Sequence, residues 1–265
     1  MGYVSYKTAG TAGQESPIIW ATFDGLKARA NRNEYVEVYD DFTGGGVVTD
    51  TSVPGWDLTG TNADVEQVVD VANGQILMEG SGADNDSCTI ASPDLYLLTK
   101  DSGKRFWFEA CVKLSAAGAA DDFAAFVGLI EKTGATAELI ADNGATVIDE
   151  DFVGFFADSD ATAIQPWNCT INIGGDASFP VTVEANAVAL STSYVKLGMA
   201  FDGRKTVSFY ADGVLLDTYD IDGLTGNTMN HEFCVVLGVK DCEAAQLGLS
   251  VDWVHFAAEK NVSGY

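Results

Sequence analysis

Histidine, proline and positive charge are all scarce in this chain, and each scarcity removes a class of protein. Its 265 residues hold 2 His, 5 Pro and 14 Lys+Arg against 39 Asp+Glu, a formal net charge of −25 at pH 7. A surface this acidic repels phosphate backbones and anionic headgroups, so neither nucleic acid nor a membrane surface is expected as a partner. No apolar run approaches the roughly 20 residues needed to cross a bilayer. The opening MGYVSYKTAG lacks a hydrophobic signal core, so the expectation is a soluble chain made in the cytoplasm. His231 and His255 are too few and too far apart for a histidine metal cluster or a Ser-His-Asp set. The signatures GxGxxG, GxxxxGK[ST], GxSxG and HExxH are absent, which removes the familiar nucleotide, hydrolase and zincin sites.

Carboxylates are plentiful but are not spaced for catalysis. Glucanases built on a β-sandwich carry an alternating Glu-x-Asp-x-Glu strand, because every second residue of a strand shares a face. This chain has none. Glu34 and Glu37 leading to Asp40-Asp41, and Asp149-Glu150-Asp151, adjoin turns and read as solvated acid. Asp84-Asn85-Asp86 and Asp158-Ser159-Asp160 offer hard oxygen ligands, but neither follows the EF-hand pattern. The expectation is therefore no catalytic residue, no metal, no cofactor and no enzymatic activity. The five cysteines (Cys88, Cys111, Cys169, Cys234, Cys242) are odd in number and set in apolar runs, so they read as free, buried thiols.

What the chain does have is β-punctuation. Its 28 Gly, with Asp, Asn and Ser, separate short alternating runs. Between Arg105 and Leu114, Phe106, Phe108, Ala110, Val112 and Leu114 share one parity and Trp107, Glu109, Cys111 and Lys113 the other, predicting a strand with one core face and one wetter face. Asp202-Gly203 and Asp212-Gly213 suit the positive-φ positions of tight hairpins, which makes Tyr194 to Leu216 a three-strand meander. Further strands are expected over 35–42, 65–71, 75–79, 87–91, 123–130, 152–157, 167–173, 181–185, 233–240 and 247–253. Segment 133–142 reads as a helical turn or two within a loop. The class is all-β, a two-sheet antiparallel sandwich.

Residues 1–33 read as an extended N-terminal arm and 34–265 as the sandwich body. The arm has four basic residues (Lys7, Lys27, Arg29, Arg32) and two acidic ones (Glu15, Asp24), whereas the body has 10 basic and 37 acidic. Pro17 to Phe23 is apolar and ill placed in a free tail. Ile18, Ile19, Trp20 and Phe23, with Lys27, Arg29 and Arg32, are the candidate contact residues, either on another chain or on the chain's own body. Docking elsewhere predicts that Trp20→Ala and Phe23→Ala leave body stability unchanged, while self-packing predicts a drop. Trp56 and Trp167, beside Pro54-Gly55 and Pro166, are candidate sugar-stacking rings or ordinary core.

Several segments, in order, resemble tailed-bacteriophage virion structural proteins with a concanavalin A-like (lectin/glucanase) jelly roll. They are Tyr39-Asp40-Asp41-Phe42, the run from Gly80 to Cys88, Phe108 to Leu114, Phe126 to Leu129, Val153 to Phe156, Phe201-Asp202-Gly203, Tyr210 to Val214 and Val251 to Val254. The likeness covers the body and leaves the arm outside. It implies a jelly roll, a place on the capsid exterior after assembly in the host cytoplasm, and a decoration (cement) role on the major capsid protein or another shell protein. It also implies a homotrimer, with no active site to transfer. The alternative is a carbohydrate-binding virion module or tail adhesin of the same fold.

Overall fold

The computed structural model describes residues 15–25, 28, 34–43, 48–49, 52–67, 74–93, 96–97, 101–115, 123–136, 139–142, 144, 146–147, 150–160, 163–164, 166–173, 181–223, 232–242 and 247–260. In chain order they form a short helix α1 (Pro17–Trp20), then β1 (Tyr35–Asp40), β2 (Asp57–Thr59), β3 (Asp64–Gln67), β4 (Ile76–Glu79), β5 (Ser87–Ala91), β6 (Tyr96–Leu97), β7 (Phe106–Leu114) and β8 (Phe123–Glu131). There follow β9 (Phe152–Ala157), β10 (Ser159–Asp160), β11 (Ala163–Ile164), β12 (Trp167–Asn172), β13 (Val181–Val188), β14 (Val195–Phe201), β15 (Thr206–Ala211), β16 (Val214–Asp220), β17 (Glu232–Asp241) and β18 (Gly248–Glu259).

Two eight-stranded antiparallel sheets stack face to face. The first runs β16-β15-β14-β7-β18-β4-β3, with β1 also beside β18; the second runs β13-β12-β9-β8-β17-β5-β2, with β6 also beside β17. Between them lies one apolar core. Phe106, Phe108, Ala110 and Val112 of β7 and Leu197, Met199 and Phe201 of β14 meet Val127 and Leu129 of β8, Val153 and Phe155 of β9 and Leu237 of β17. Phe155 reaches across the sandwich to Phe209 of β15, edge to face at 5.6 Å between ring centres.

The meander read from the two Asp-Gly pairs is β14-β15-β16. Asp212 (φ 49) and Gly213 (φ 77) both take the left-handed conformation that a two-residue hairpin turn needs. The Asp202 turn is longer: Asp202 Oδ1 accepts from the N–H groups of Arg204, Lys205 and Thr206. These bonds hold its carboxyl below the usual range despite desolvation. All five cysteines are free and buried. Burial pushes the Cys234 thiol up to about 11 and those of Cys88 and Cys169 up to about 12.

One expectation needs correction. The second face of β7 is not wet: Trp107, Glu109 and Cys111 are as dry as the core face, and segment 15–23 lies over Trp107 and Glu109. Segment 133–142 carries a single helical turn, a 3-10 turn over Lys132–Gly134, within a loop as expected, and an isolated bridge then pairs Ile140 with Val147. Its later apolar residues cover a sheet. Leu139, Ile140 and Val147 join Phe126, Phe152, Phe156 and Val236 in a second apolar cluster on the outer face of the second sheet.

Phe108 is fully buried at the middle of the core. Phe108→Ala is expected to cost about 3–5 kcal/mol in urea or guanidinium unfolding. An effect below about 1 kcal/mol would remove Phe108 from the inter-sheet core.

Candidate functional site

Sheet residues alternate between the core and the outer faces, so a ligand site on this fold is sought on an outer face or at a sheet margin. On the first sheet the central outer positions are Trp107 and Glu109 of β7, Gly198 and Ala200 of β14, and His255 and Ala257 of β18. The chain fills this face with its own segment 15–23. Ile19 is buried against Trp107 and Ala257. It lies so close to Gly198 that a Cβ at that position would collide with its Cδ1. Phe23 packs on Trp107 at 5.2 Å and edge-on to Tyr35 at 6.4 Å.

Polar bonds fix the same segment. Glu109 Oε2 accepts from the Ser16 backbone N–H at 2.8 Å and from Trp20 Nε1 at 3.0 Å. Trp107 Nε1 donates to Thr22 Oγ1 at 3.0 Å. The Trp20 ring stacks on His255 with 3.9 Å between centres, and His255 sits between Glu15 Oε1 at 3.1 Å and Glu37 Oε1 at 3.3 Å. Burial alone would depress the His255 pKa, but the two carboxylates outweigh it and hold it above the ordinary histidine value. Burial pushes Glu109 the same way, above the ordinary carboxylate range, with the Ser16 and Trp20 bonds offsetting part of the shift.

The arm residues therefore divide. Ile19, Trp20 and Phe23, candidates for contact with another chain, lie on the chain's own first sheet; this corrects the partner-binding assignment for those three. Their apolar surface and the Trp20 N–H find closer partners at home. Ile18 points away and is 60% exposed. Lys27, Arg29 and Arg32 lie outside the described residues, as does His231.

Both candidate stacking tryptophans are buried. Trp167 is 1% exposed and points into the inter-sheet core from β12. Trp56 packs on Phe42 and donates to Asp40 Oδ2 at 2.8 Å, so neither ring presents a face to a sugar. The Asp84-Asn85-Asp86 loop is tied to the end of β17, the Asn85 N–H donating to Asp241 O and the Asp241 N–H to Asp86 O. Asp86 accepts from Asn62 Nδ2 at Oδ1 and from Ser81 Oγ and the Ala83 N–H at Oδ2, which together hold its carboxyl below the usual range against desolvation. Among the described residues no group of three or more His, Cys, Asp or Glu is arranged to hold a metal ion.

On the second sheet the central outer positions are apolar and lie under segment 139–147, with Leu139 seated over Gly238. Lys240 of β17 is buried there, its Nζ donating to Ile140 O at 3.1 Å and Asp142 Oδ1 at 2.7 Å. The margin is different. Asn168 on β12 is half-buried, and its Oδ1 accepts from the Asn186 N–H. Beside it Thr182, Glu184 and Asn186 of β13 are exposed. This polar strip carries the amide, hydroxyl and carboxylate groups that pair with sugar hydroxyls. Sequence reasoning placed only 181–185 in that strand and missed the strip, because polar residues on an edge strand read as ordinary solvation.

Neither a protein-family model nor a curated protein sequence matches the chain. Solved structures do. An endo-1,3-β-glucanase from Streptomyces sioyaensis superposes with a TM-score of 0.56 at 11% identity, over 86% of this chain and 97% of that one. Peanut lectin gives 0.54 at 14% identity, over 85% and 97%. The carbohydrate recognition domain of Emp47p gives 0.54 at 10% identity, over 84% and 96%. The chain is a concanavalin A-like jelly roll. The expectation of a chain without enzymatic activity is overturned by the same comparison: the glucanase shares nearly the whole body, and so does a structure described for endo-acting O-glycanases of the human gut microbiota, at a TM-score of 0.52 and 14% identity over 83% and 97%.

The packing of Trp20 yields a prediction opposite to that of docking elsewhere. Trp20→Ala removes a donor from buried Glu109 and the stack on His255, and is expected to destabilise the full chain by about 2–3 kcal/mol in denaturant unfolding. An unchanged midpoint would mean that segment 15–23 is not seated on the sheet in solution.

Proposed function

We propose that the chain is a carbohydrate-binding module of lectin type that recognises glycans at the margin of the second sheet. The observation that carries this reading is the fit of the whole sandwich to peanut lectin and to a carbohydrate recognition domain, over 84–85% of this chain. The strip of half-buried Asn168 and exposed Thr182, Glu184 and Asn186 supports it, since the centre of that sheet is covered and this margin is not. A glycan screen with the full chain is expected to give saturable binding, and Asn168→Ala combined with Glu184→Ala to weaken it about tenfold or more. No binding across the screen would sink the reading. Release of shorter sugars in the same mixtures would move it to glycan cleavage.

A second reading is a virion structural protein that docks on a shell protein, the major capsid protein being the partner the sequence resemblance implies. One observation favours it. Ile18, itself 60% exposed, lies beside Gly213 at the turn into edge strand β16, whose first two residues Val214 and Leu215 are 67% and 50% exposed, so this end of the edge presents apolar side chains in the open. Co-sedimentation with phage shells lacking the protein is expected to show saturable binding by the native chain and loss of it in Ile18→Asp/Leu215→Asp. Equal pelleting of both chains, or of neither, would overturn this reading.

A further inference from the structure

Segment 15–23 is held to the first sheet by two buried ionisable groups that face each other across one strand pairing. His255 of β18 stands opposite Glu109 of β7 in the register. Each is at most 6% exposed, and each contacts the segment directly, His255 through Glu15 and the Trp20 ring and Glu109 through the Ser16 N–H and Trp20 Nε1. Glu109 Oε1 and Ser16 Oγ are buried without a hydrogen-bond partner, although Oε2 of the same carboxylate binds the Ser16 N–H.

We infer that segment 15–23 is a pH-dependent clasp, docked on the first sheet in mild acid and released as the pH rises, so that the medium sets how much of Ile19, Trp20 and Phe23 is presented to the outside. The charged and titratable groups that face His255 come from three sides: Glu15 of the segment, Glu37 and Tyr39 of β1, and Glu109 of β7. Those around Glu109 are His255, Lys196 and the Cys111 thiol, Lys196 favouring the carboxylate. Both central groups titrate in the same direction. His255 is raised because two carboxylates stabilise its cation, and Glu109 is raised because the docked segment removes it from water. The docked state therefore binds more protons than the released one. Its advantage is complete below the ordinary pKa values of the two groups and is lost as the pH climbs through their raised values. Each unit of difference between docked and released pKa changes the opening equilibrium by a factor of up to about ten.

Hydrogen exchange of the full-length chain, read by mass spectrometry between about pH 5.5 and pH 9 and divided by the intrinsic rate at each pH, tests this. Amides of 16–23 are expected to lose protection about tenfold or more across that range, while amides of β17 keep theirs. Glu109→Gln, neutral at every pH, is expected to reduce the loss, and Glu109→Gln with His255→Gln to abolish it. The proposal is overturned if protection of 16–23 is flat in the native chain, if it falls in step with β17, or if the same fall persists in the double variant. The native profile decides the question even if the double variant does not fold.

Discussion

A strand with both faces removed from water has nowhere to place a charge without a partner, and β7 is such a strand. Its odd face carries Trp107, Glu109 and Cys111, its even face Phe106, Phe108 and Ala110, and both are buried. The even face needs only the second sheet, since packing apolar side chains against apolar side chains requires no direction. The odd face needs more, because Glu109 must be given donors. Those donors come from Ser16 and Trp20. The buried carboxylate thus dictates that the segment arrive in one register, with the Ser16 N–H and the indole N–H both within reach. Ile19 and Phe23 then fill the space around Trp107. One acidic side chain at the centre of the first sheet converts an apolar tail into an ordered cover.

This also locates the limit of what could be read from the sequence. Parity gave the core face of β7 correctly because Phe-x-Phe-x-Ala-x-Val-x-Leu leaves no other way to hide so much apolar surface. Strands Ser87–Ala91 and Phe152–Ala157 were legible to the residue, being bounded by turn residues at both ends. The opposite face was misread because Glu109 and Lys113 look like solvent markers in isolation. A signal was present nonetheless. Trp107, Cys111, Gly198, Ala200 and Ala257 are aromatic or small rather than charged, which is how a sheet face looks when another segment lies on it. For the tryptophans, a ring next to a Pro-Gly turn suggests exposure, but Trp56 is pulled in by Asp40 and Trp167 falls on the inward parity of β12. The polar margin at Asn168 and Asn186 had no signature, since periodicity does not distinguish a solvated edge from a binding edge.

The two outer faces are covered by the same physical device. On the first sheet Ile19 sits over Gly198; on the second Leu139 sits over Gly238. In both cases the absence of a Cβ on a central strand lets a branched aliphatic side chain reach the backbone, and the covering segment is anchored there. The polar anchors differ in character. Glu109 and His255 fasten the first cover through groups that titrate together, whereas Lys240 fastens the second through Ile140 O and the exposed Asp142 carboxylate. The first cover is therefore the one whose hold depends on proton uptake.

Covering both sheet centres moves any recognition surface to the margins. The exposed polar residues of β13 and the exposed apolar pair at the start of β16 belong to different sheets, yet β13 and β16 are the terminal strands at the same side of the sandwich and lie in contact with each other. A ligand approaching that side meets hydroxyl and amide groups on one sheet and Val214, Leu215 and Ile18 on the other. Edge strands normally guard such surfaces with charge, and Asp217 and Asp220 do so for the later half of β16, leaving Val214 and Leu215 unguarded. Ile18 belongs to the segment that His255 and Glu109 hold. If that segment lifts, Ile18 leaves the margin with it, and the apolar half of the surface is taken apart while the polar half on β13 stays in place. Proton uptake at the centre of the first sheet is thereby coupled to the composition of a surface at its edge, through nothing more than the short stretch of chain between Ser16 and Trp20.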